Sequence, residues 1–551
     1  MLMPLAPLLR QLRAGLSAFQ TMLADDPALL ALQVCRRLPL PVANALSPLT
    51  RVLPSGQTIA ALLQRDLQRA AQTARPRPRN GFEAAVWALA GMCPPRKYGR
   101  AYARFLQRIG RIPEAIDAAP PSLRSRLIAN AAIETESFSL PTADLPARTY
   151  QVPQGRHRAL HILTNSLPFT QSGYSLRTHQ VLLAQAQAGI SVRALTRLGY
   201  PLIIGKVATS DRQQIDGVDY ARMLPATWPK SWPARLARSA KEAANAANSF
   251  APNVLHTTTD FKNALVTAAL AKRFDLPWVY EMRGELESTW LSKLPEEYRA
   301  SGETSWHYRH LARKEAQMAA MADAVVVLSA VHKQRLCARG VDAHKIFVVP
   351  NLPLSPPAQC SRIEARAKLG IPTDRKLFGS ISSIVAYEGL ETAIYALAQL
   401  RQRGEDVHLA LVGSGESVPA LKALAAKCQV ANRVSFVGRV SPERARLWYK
   451  ALDCFVIPRR DEPVTRTVTP IKGMEAVAAG TPLICSNLPA LAEITPPAPA
   501  GTLVEAANVS AWADAIARVL NHPVPVAAPP LRTWADNAQI YDQIYKKVRG
   551  I

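Results

Sequence analysis

From about residue 156 onward, short apolar runs alternate with helix-length stretches. One series of runs lies at 159–163, 191–196, 254–256, 277–281, 324–328 and 346–350. A second lies at 376–380, 408–412, 434–437, 454–457, 482–485 and 501–504. Short, nearly unbroken apolar runs spaced by helical segments predict βαβ units, with parallel strands covered on both faces. The two series meet at a proline-rich linker that runs from Pro350 through Asn351 to Pro356 and Pro357. The pattern therefore predicts two doubly wound α/β domains, 157–350 and 351–531, facing each other across a cleft. Ligands are expected at the carboxyl ends of the strands, between the domains. A last periodic stretch, 531–548, carries Trp534, Ile540, Tyr541, Ile544 and Tyr545 on one face. It predicts a terminal helix (532–551) packing back across both lobes.

Residues 1–150 read differently. Apolar residues recur at three- and four-residue steps, as in Ile59, Leu62 and Leu63 and in Phe82, Ala85, Val86 and Leu89, which is the amphipathic helix signal. The stretch from Arg75 through Pro76 and Pro78 to Arg79 should break such a helix. Basic residues outnumber acidic ones about two to one here. The segment is expected to be a helical layer over the main body, or a docking surface for a protein partner or an anionic membrane.

Composition narrows the classes. Hydrophobic residues make up 48% of the 551 positions, enough for large cores, which excludes a chain disordered throughout. The formal charge of +26 favours anionic partners: nucleic acid, an acidic membrane surface or phosphorylated substrates. Aromatic residues are only 6%, thin for base-stacking platforms, and no nucleic-acid reader motif is present, so nucleic acid is not an expected partner. No run approaches the roughly 18 apolar residues of a membrane span, and the first 22 residues do not read as a secretory signal. The seven cysteines are scattered and never in CxxC spacing. Neither a disulfide framework nor a metal site is implied, and a cytoplasmic location is expected, with an option of peripheral attachment to the inner face of the cell membrane.

The candidate chemistry concentrates after the 454–457 run. Thr469 suits an N-cap and Pro470 a first helical position, with Gly480 closing the helix. The helix start presents free N–H groups and the positive dipole end, and Lys472 in the first turn adds a full charge, a combination suited to phosphate. Glu475, one turn on, can accept two hydrogen bonds from a vicinal diol such as a ribose. A diphosphate and a diol at that spacing describe a sugar nucleotide; a capped helix with a surface glutamate fits the same spacing. The loop with Ser382 and Ser383, ahead of Tyr387, Glu388 and Gly389, lets backbone amides approach an anion. Gly438 ends another run, where its backbone can meet a base edge and Arg439 a phosphate. In the first domain, Ser172 and Gly173 precede a helix starting near Tyr174 and can close over a diphosphate or an acceptor. His179 suits a packed core position. Arg283 follows a strand and is a candidate partner for a phosphate or leaving group. Glu281 and Glu285 are candidate acid or base groups, or simply partners of Arg283.

With these residues in hand, residues 157–550 resemble glycosyltransferase family 4. The matching pieces are Ser172 to Ser175, Val279 to Gly284, Ala322-Asp323 to Ser329, Val348 to Asn351, Tyr387 to Leu390, Val412 to Gly415, Phe436 to Gly438, and Glu475-Ala476 with Gly480 to Pro482. The resemblance implies a GT-B fold, two Rossmann-like lobes with the nucleotide-sugar donor mainly on the second, plus the added N-terminal α-helical region. It implies a retaining, hexosyltransferase-type enzyme with no metal at the catalytic centre and no other cofactor. The acceptor is then a glycan or lipid-linked saccharide in bacterial surface polysaccharide assembly, such as capsule or lipopolysaccharide. The implied catalytic residues are Arg283, Lys472 and Glu475, with Glu475 on the donor ribose. Gly173, Ser382, Ser383, Gly438, Arg439 and Thr469 complete the donor site, and Tyr174, Arg177, Glu281 and Glu285 the acceptor site. Three departures stand out. The family's earlier glutamate, eight positions before Glu475, is Thr467. Its usual cation pair in the first loop of the second lobe is replaced by Ser382 and Tyr387-Glu388, leaving Arg439, Lys472 and Arg283 to supply charge. A histidine common in the family is Arg283. A catalytically degenerate GT-B scaffold acting through its basic extension is the competing reading.

Overall fold

The computed structural model describes residues 5–208, 210–523 and 532–551. Two sheets organise the chain. The first holds β1 (Arg158–Leu163), β2 (Ser191–Thr196), β3 (Arg212–Ile215), β4 (Val218–Arg222), β5 (Val254–Thr258), β6 (Trp278–Met282), β7 (Ala324–Val327) and β8 (Ile346–Val348). Their order is β3-β4-β2-β1-β5-β6-β7-β8, parallel except for β3. The second holds β9 (Lys376–Ile381), β10 (Val407–Val412), β11 (Val434–Gly438), β12 (Cys454–Ile457), β13 (Leu483–Ser486) and β14 (Gly501–Val504), in the order β11-β10-β9-β12-β13-β14 and parallel throughout. Helices cover both faces, which is why β5, β6, β7, β12 and β13 are buried along their whole length.

The apolar runs match twelve of these strands. The remaining two, β3 and β4, form a hairpin whose turn is Asp216-Gly217, both with positive φ (50° and 82°), as a tight two-residue turn requires. Its outer strand is polar, so it carries no apolar run.

The extension is helical from Leu5–Asp25 to Pro121–Ala132 and is folded onto the first lobe. Gln11 exchanges two hydrogen bonds with Ala208, and Ser17 and Asn130 accept from the backbone of Trp228 and Trp232. Lys314 donates to the carbonyls of Thr135 and Phe138, and Ile133, Leu140 and Leu145 enter the core of the first lobe.

The terminal helix runs Trp534–Arg549; its expected start at 531 lies outside the described residues. The helix packs on the first lobe, while Arg532 just ahead of it lines a cavity with Met474, Val477 and Glu493 of the second. Tyr541, Ile544 and Tyr545 join a core with Ala159, Val181, Val254 and Val279, and Trp534 donates to Pro353 of the linker. The chain thus leaves the second lobe and finishes on the first.

Candidate functional site

In the second sheet the chain runs from β9 to β10 on one side, whereas β12 lies on the other side of β9. The carboxyl ends of β9 and β12 therefore open a crevice at the switch point. A cavity of 420 Å³ occupies it, between the two lobes. Ser382 and Ser383 reach it from the end of β9, Arg459 from the end of β12, and Thr469 to Lys472 from the start of the helix Ile471–Ala478. Gly173 and Tyr174, Arg283 and Asn351 close it from the first lobe.

The floor of this cavity is a buried ion triad. Gly389, at φ 65°, sits where a Cβ would come 1.9 Å from the Pro458 carbonyl. That approach, open only to glycine, sets Glu388 beside the exit of β12. Glu388 accepts from Arg459 Nη2 at 3.1 Å and Nε at 3.3 Å, and from Lys472 Nζ. Burial works to raise the pKa of Glu388, but Arg459 and Lys472 outweigh it and hold it to about 2. Burial lowers that of Lys472 to about 8 in spite of Glu388. Arg459 spends a further N–H on the Val468 carbonyl, so among the described residues two of its five N–H groups remain, as do two on Lys472. Two cations against one carboxylate leave a net positive charge at the mouth of a helix N-terminus.

Two hydroxyls complete the arrangement. Ser382 Oγ and Thr469 Oγ1 are buried and have no hydrogen-bond partner among the described residues. Burying a polar group without a partner costs about 1–3 kcal/mol, and both of these hydroxyls belong to residues on one cavity wall. Thr469 does not cap the helix as expected: Pro470 occupies the N-cap position and the Thr469 side chain faces the cavity instead.

Glu475 is placed differently from the expectation. It is absent from the cavity wall, and its Oε1 accepts from the backbone N–H of Leu354 in the linker at 2.7 Å. Burial raises its pKa to about 7, against the pull of that hydrogen bond. Gly438 and Arg439 also lie off the cavity. Gly438 ends β11, the edge strand, two strands removed from the crevice, and Arg439, which follows it, is exposed.

The first-lobe wall holds a second charged network, and it is closed. Glu281 is fully buried and accepts from Arg177, Arg283, His256 and Tyr541 at 2.8–3.2 Å. Burial opposes its ionisation, but Arg283 and Arg177 hold its pKa well below the carboxylate range. Arg177 is 1% exposed and spends its other groups on Val349, Pro350 and Asn351 of the hinge. Glu281 and Arg177 therefore join β6, the linker and the terminal helix; Glu281 lies off the cavity, whereas Arg177 lines it with its guanidinium engaged in this network. Glu285 is also buried. It meets Arg335 at 2.6 Å and Ser288 at 2.8 Å, and it accepts from Thr467 Oγ1 across the lobes at 3.2 Å. A first-lobe carboxylate thus stands beside the position where the earlier glutamate is missing. Arg283 lines the cavity while bound to Glu281, Tyr174 and Thr178; its Nη2 makes no hydrogen bond among the described residues. Tyr174 is 51% exposed at the mouth, Gly173 lies against Ile471, and His179 is packed between Tyr220 and Asp216.

Residues 172–352 match the family described as Glycosyl transferase 4-like domain, and residues 361–540 match Glycosyl transferases group 1. A GDP-mannose-dependent alpha-(1-6)-phosphatidylinositol monomannoside mannosyltransferase of Mycobacterium tuberculosis is 31% identical over 166 residues. The match spans 30% of this chain and 42% of that protein, less than half its length. Among solved structures, the sucrose-phosphate synthase of Thermosynechococcus elongatus superposes with a TM-score of 0.54 at 21% identity, covering 72% of this chain and 94% of that one. The catalytic domain of starch synthase IV from Arabidopsis thaliana, bound to ADP and acarbose, gives 0.54 at 14% identity, covering 72% and 100%. The shared two-lobed arrangement is the GT-B fold.

Proposed function

Since the chain belongs to the glycosyl transferases of group 1, with a glycosyl transferase 4-like first lobe, we propose that it transfers a hexose from a nucleotide-sugar donor to a glycan or lipid-linked acceptor, with retention at the anomeric carbon. The observation that carries the reading is the cleft wall of Arg459, Lys472, Ser382 Oγ and Thr469 Oγ1. It combines free N–H groups, two orphaned hydroxyls and a helix start around one cavity. The donor diphosphate sits there. As the glycosidic bond breaks, charge builds on the leaving diphosphate, and fixed donors aimed at that charge need no reorganisation. The acceptor hydroxyl enters on the face the diphosphate leaves, and the closed cleft keeps water out. The protein's own cations supply the charge, so the reading calls for no metal. Glu475 is the carboxylate assigned to the donor ribose, in exchange for its Leu354 contact.

The acceptor class follows the mannosyltransferase relative, whose name specifies a phosphatidylinositol-linked acceptor, and bacterial surface glycan assembly is the setting proposed. The extension then serves as the contact with an anionic lipid surface. Of the 19 exposed large apolar side chains among the described residues, 11 fall between residues 12 and 53. Leu12, Leu16, Phe19 and Leu23 form one stripe along the first helix, and residues 1–65 carry six arginines against two aspartates. Both aspartates pair inward with Arg104, Arg126 and Arg108. An apolar stripe flanked by unopposed cations suits the headgroup layer of an acidic bilayer. No helix of the described residues is long and apolar enough to cross a membrane.

The test is release of nucleoside diphosphate from a panel of nucleotide sugars, with and without acceptors. Turnover in the full chain and its loss in Arg459→Ala, with the protein still folded, support the reading. Failure to bind any nucleoside diphosphate overturns it and restores the scaffold alternative. Leu16→Glu/Phe19→Glu should abolish sedimentation with phosphatidylglycerol vesicles and spare nucleotide binding; undiminished sedimentation overturns the membrane contact.

A further inference from the structure

The first sheet has its own switch point. β1 leads to β2 on one side, and β5 lies on the other. A cavity of 230 Å³ opens there between the ends of β1 and β5, walled by Thr164, Asn165, Thr258 and Asp260. It shares Tyr174 and Arg283 with the diphosphate cavity. Behind it, sharing Thr164 and Asp260, lies a third cavity of 240 Å³ whose chemistry is different. Wall residues are thus shared from the first cavity to the second and from the second to the third.

The third cavity combines indole faces with cations. Trp228 and Trp232 line it, and the Arg235 guanidinium lies 5.2 and 5.3 Å from their ring centroids. Lys262 Nζ lies 5.3 Å from Trp232, and Arg197 is a third cation on the wall. One carboxylate, Asp260, lies on this wall, and Asp25 of the extension bears on Arg235. Asp260 is already engaged: Oδ1 accepts from the backbone of Lys262 at the start of the helix Phe261–Phe274, and Oδ2 is 3.7 Å from Lys262 Nζ. Arg197 gives one nitrogen to Asn165, and its Nε is buried with no partner among the described residues. An arginine with an unpaired buried N–H on the wall of a cavity where cations outnumber carboxylates suits an anion. Flat indole faces beside it suit the C–H face of a pyranose ring.

We infer that this recess is the acceptor subsite, and that it takes a saccharide bearing an anionic group, phosphate or carboxylate, with the sugar ring against Trp228 and Trp232 and the anion on Arg197 and Lys262. The inference rests on the transferase reading, since it names the acceptor of that reaction. It also replaces Glu281, which is consumed within the protein and lines none of these cavities, as a source of acceptor recognition. The backbone of Trp228 and Trp232 is held by Ser17 and Asn130 of the extension, so the helical layer positions the two indoles.

The experiment is isothermal titration of the full chain, its donor site saturated with the nucleoside diphosphate that binds. The probes are methyl α-D-glucoside, methyl α-D-glucuronide and glucose 1-phosphate. At least one acidic probe should bind about tenfold or more tightly than the neutral glucoside. Which acidic probe wins tells a ring carboxylate from a carrier-linked phosphate. In Arg197→Gln/Lys262→Gln the gap should close with nucleoside diphosphate affinity unchanged. Lys262→Gln alone, at a partly exposed position, should narrow it about threefold and guards against a double variant that fails to fold. Equal affinity for all three probes, no binding of any, or a gap that persists in the variants overturns the subsite. Those results with nucleoside diphosphate still bound leave the transferase reading standing. Absence of nucleoside diphosphate binding overturns that reading itself.

Discussion

The two walls of the cleft use the same residue types to opposite ends. On the first-lobe wall, Glu281, Arg177 and most of Arg283 satisfy one another, and every strong donor near Glu281 comes from the protein. On the second-lobe wall, Arg459 and Lys472 are oriented by Glu388 yet keep unused N–H groups, and two hydroxyls beside them have no partner. A closed network stabilises a fold, and an open one awaits a ligand. Charge and cleft position alone do not separate the two; counting unused donors does.

The comparison breaks first at its closed side. Glu281→Ala leaves two buried guanidinium groups facing no carboxylate. It should cost about 3–5 kcal/mol and lower the melting temperature sharply, as measured by thermal denaturation. A variant with native stability and altered acceptor use would move Glu281 to the open side. Next in size is Arg459→Ala, which removes a fixed donor to the leaving diphosphate. Turnover should fall about 10²–10³-fold in a steady-state assay, with the secondary structure retained by circular dichroism.

Glu475 sharpens the boundary between the walls. Its pKa near 7 means that the folded protein holds a proton there that the unfolded chain has already lost above the ordinary carboxylate range. Stability should therefore fall, relative to Glu475→Gln, as pH rises from about 4.5 through 7. The gap approaches a plateau of about 3 kcal/mol, read from urea midpoints at a series of pH values. The smallest effects belong to the orphaned hydroxyls. Ser382→Ala and Thr469→Val should each weaken nucleoside diphosphate binding about fivefold, roughly 1 kcal/mol, with melting temperatures unchanged or slightly raised.

Much of the architecture was readable from local pattern because parallel strands buried on both faces write themselves as apolar runs. The hairpin of β3 and β4 escaped that filter; only the Asp216-Gly217 turn announced it. Lys472 was legible because a helix start and a charge in its first turn are both local features. Arg459 was not. Arg459 and Arg460 are neighbours of one kind, and the contact with Glu388 at the switch point is what turns one inward, while the other pairs at the surface with Glu391. The pairing of Glu281 with Arg283 was one of the expectations, but the rest of the network around Glu281 and Arg177 was not legible for a related reason. Their partners Asn351 and Tyr541 lie 174 to 364 residues away in sequence, and Tyr541 comes from the terminal helix. Whether a charge is spent or available depends on those distant contacts.

The most direct measurement is a crystal structure of the full chain with a bound nucleoside diphosphate. The account predicts the terminal phosphate within hydrogen-bond distance of Lys472 Nζ, an Arg459 nitrogen, Ser382 Oγ and Thr469 Oγ1. A diphosphate seated elsewhere, with both hydroxyls still unpartnered, would contradict it.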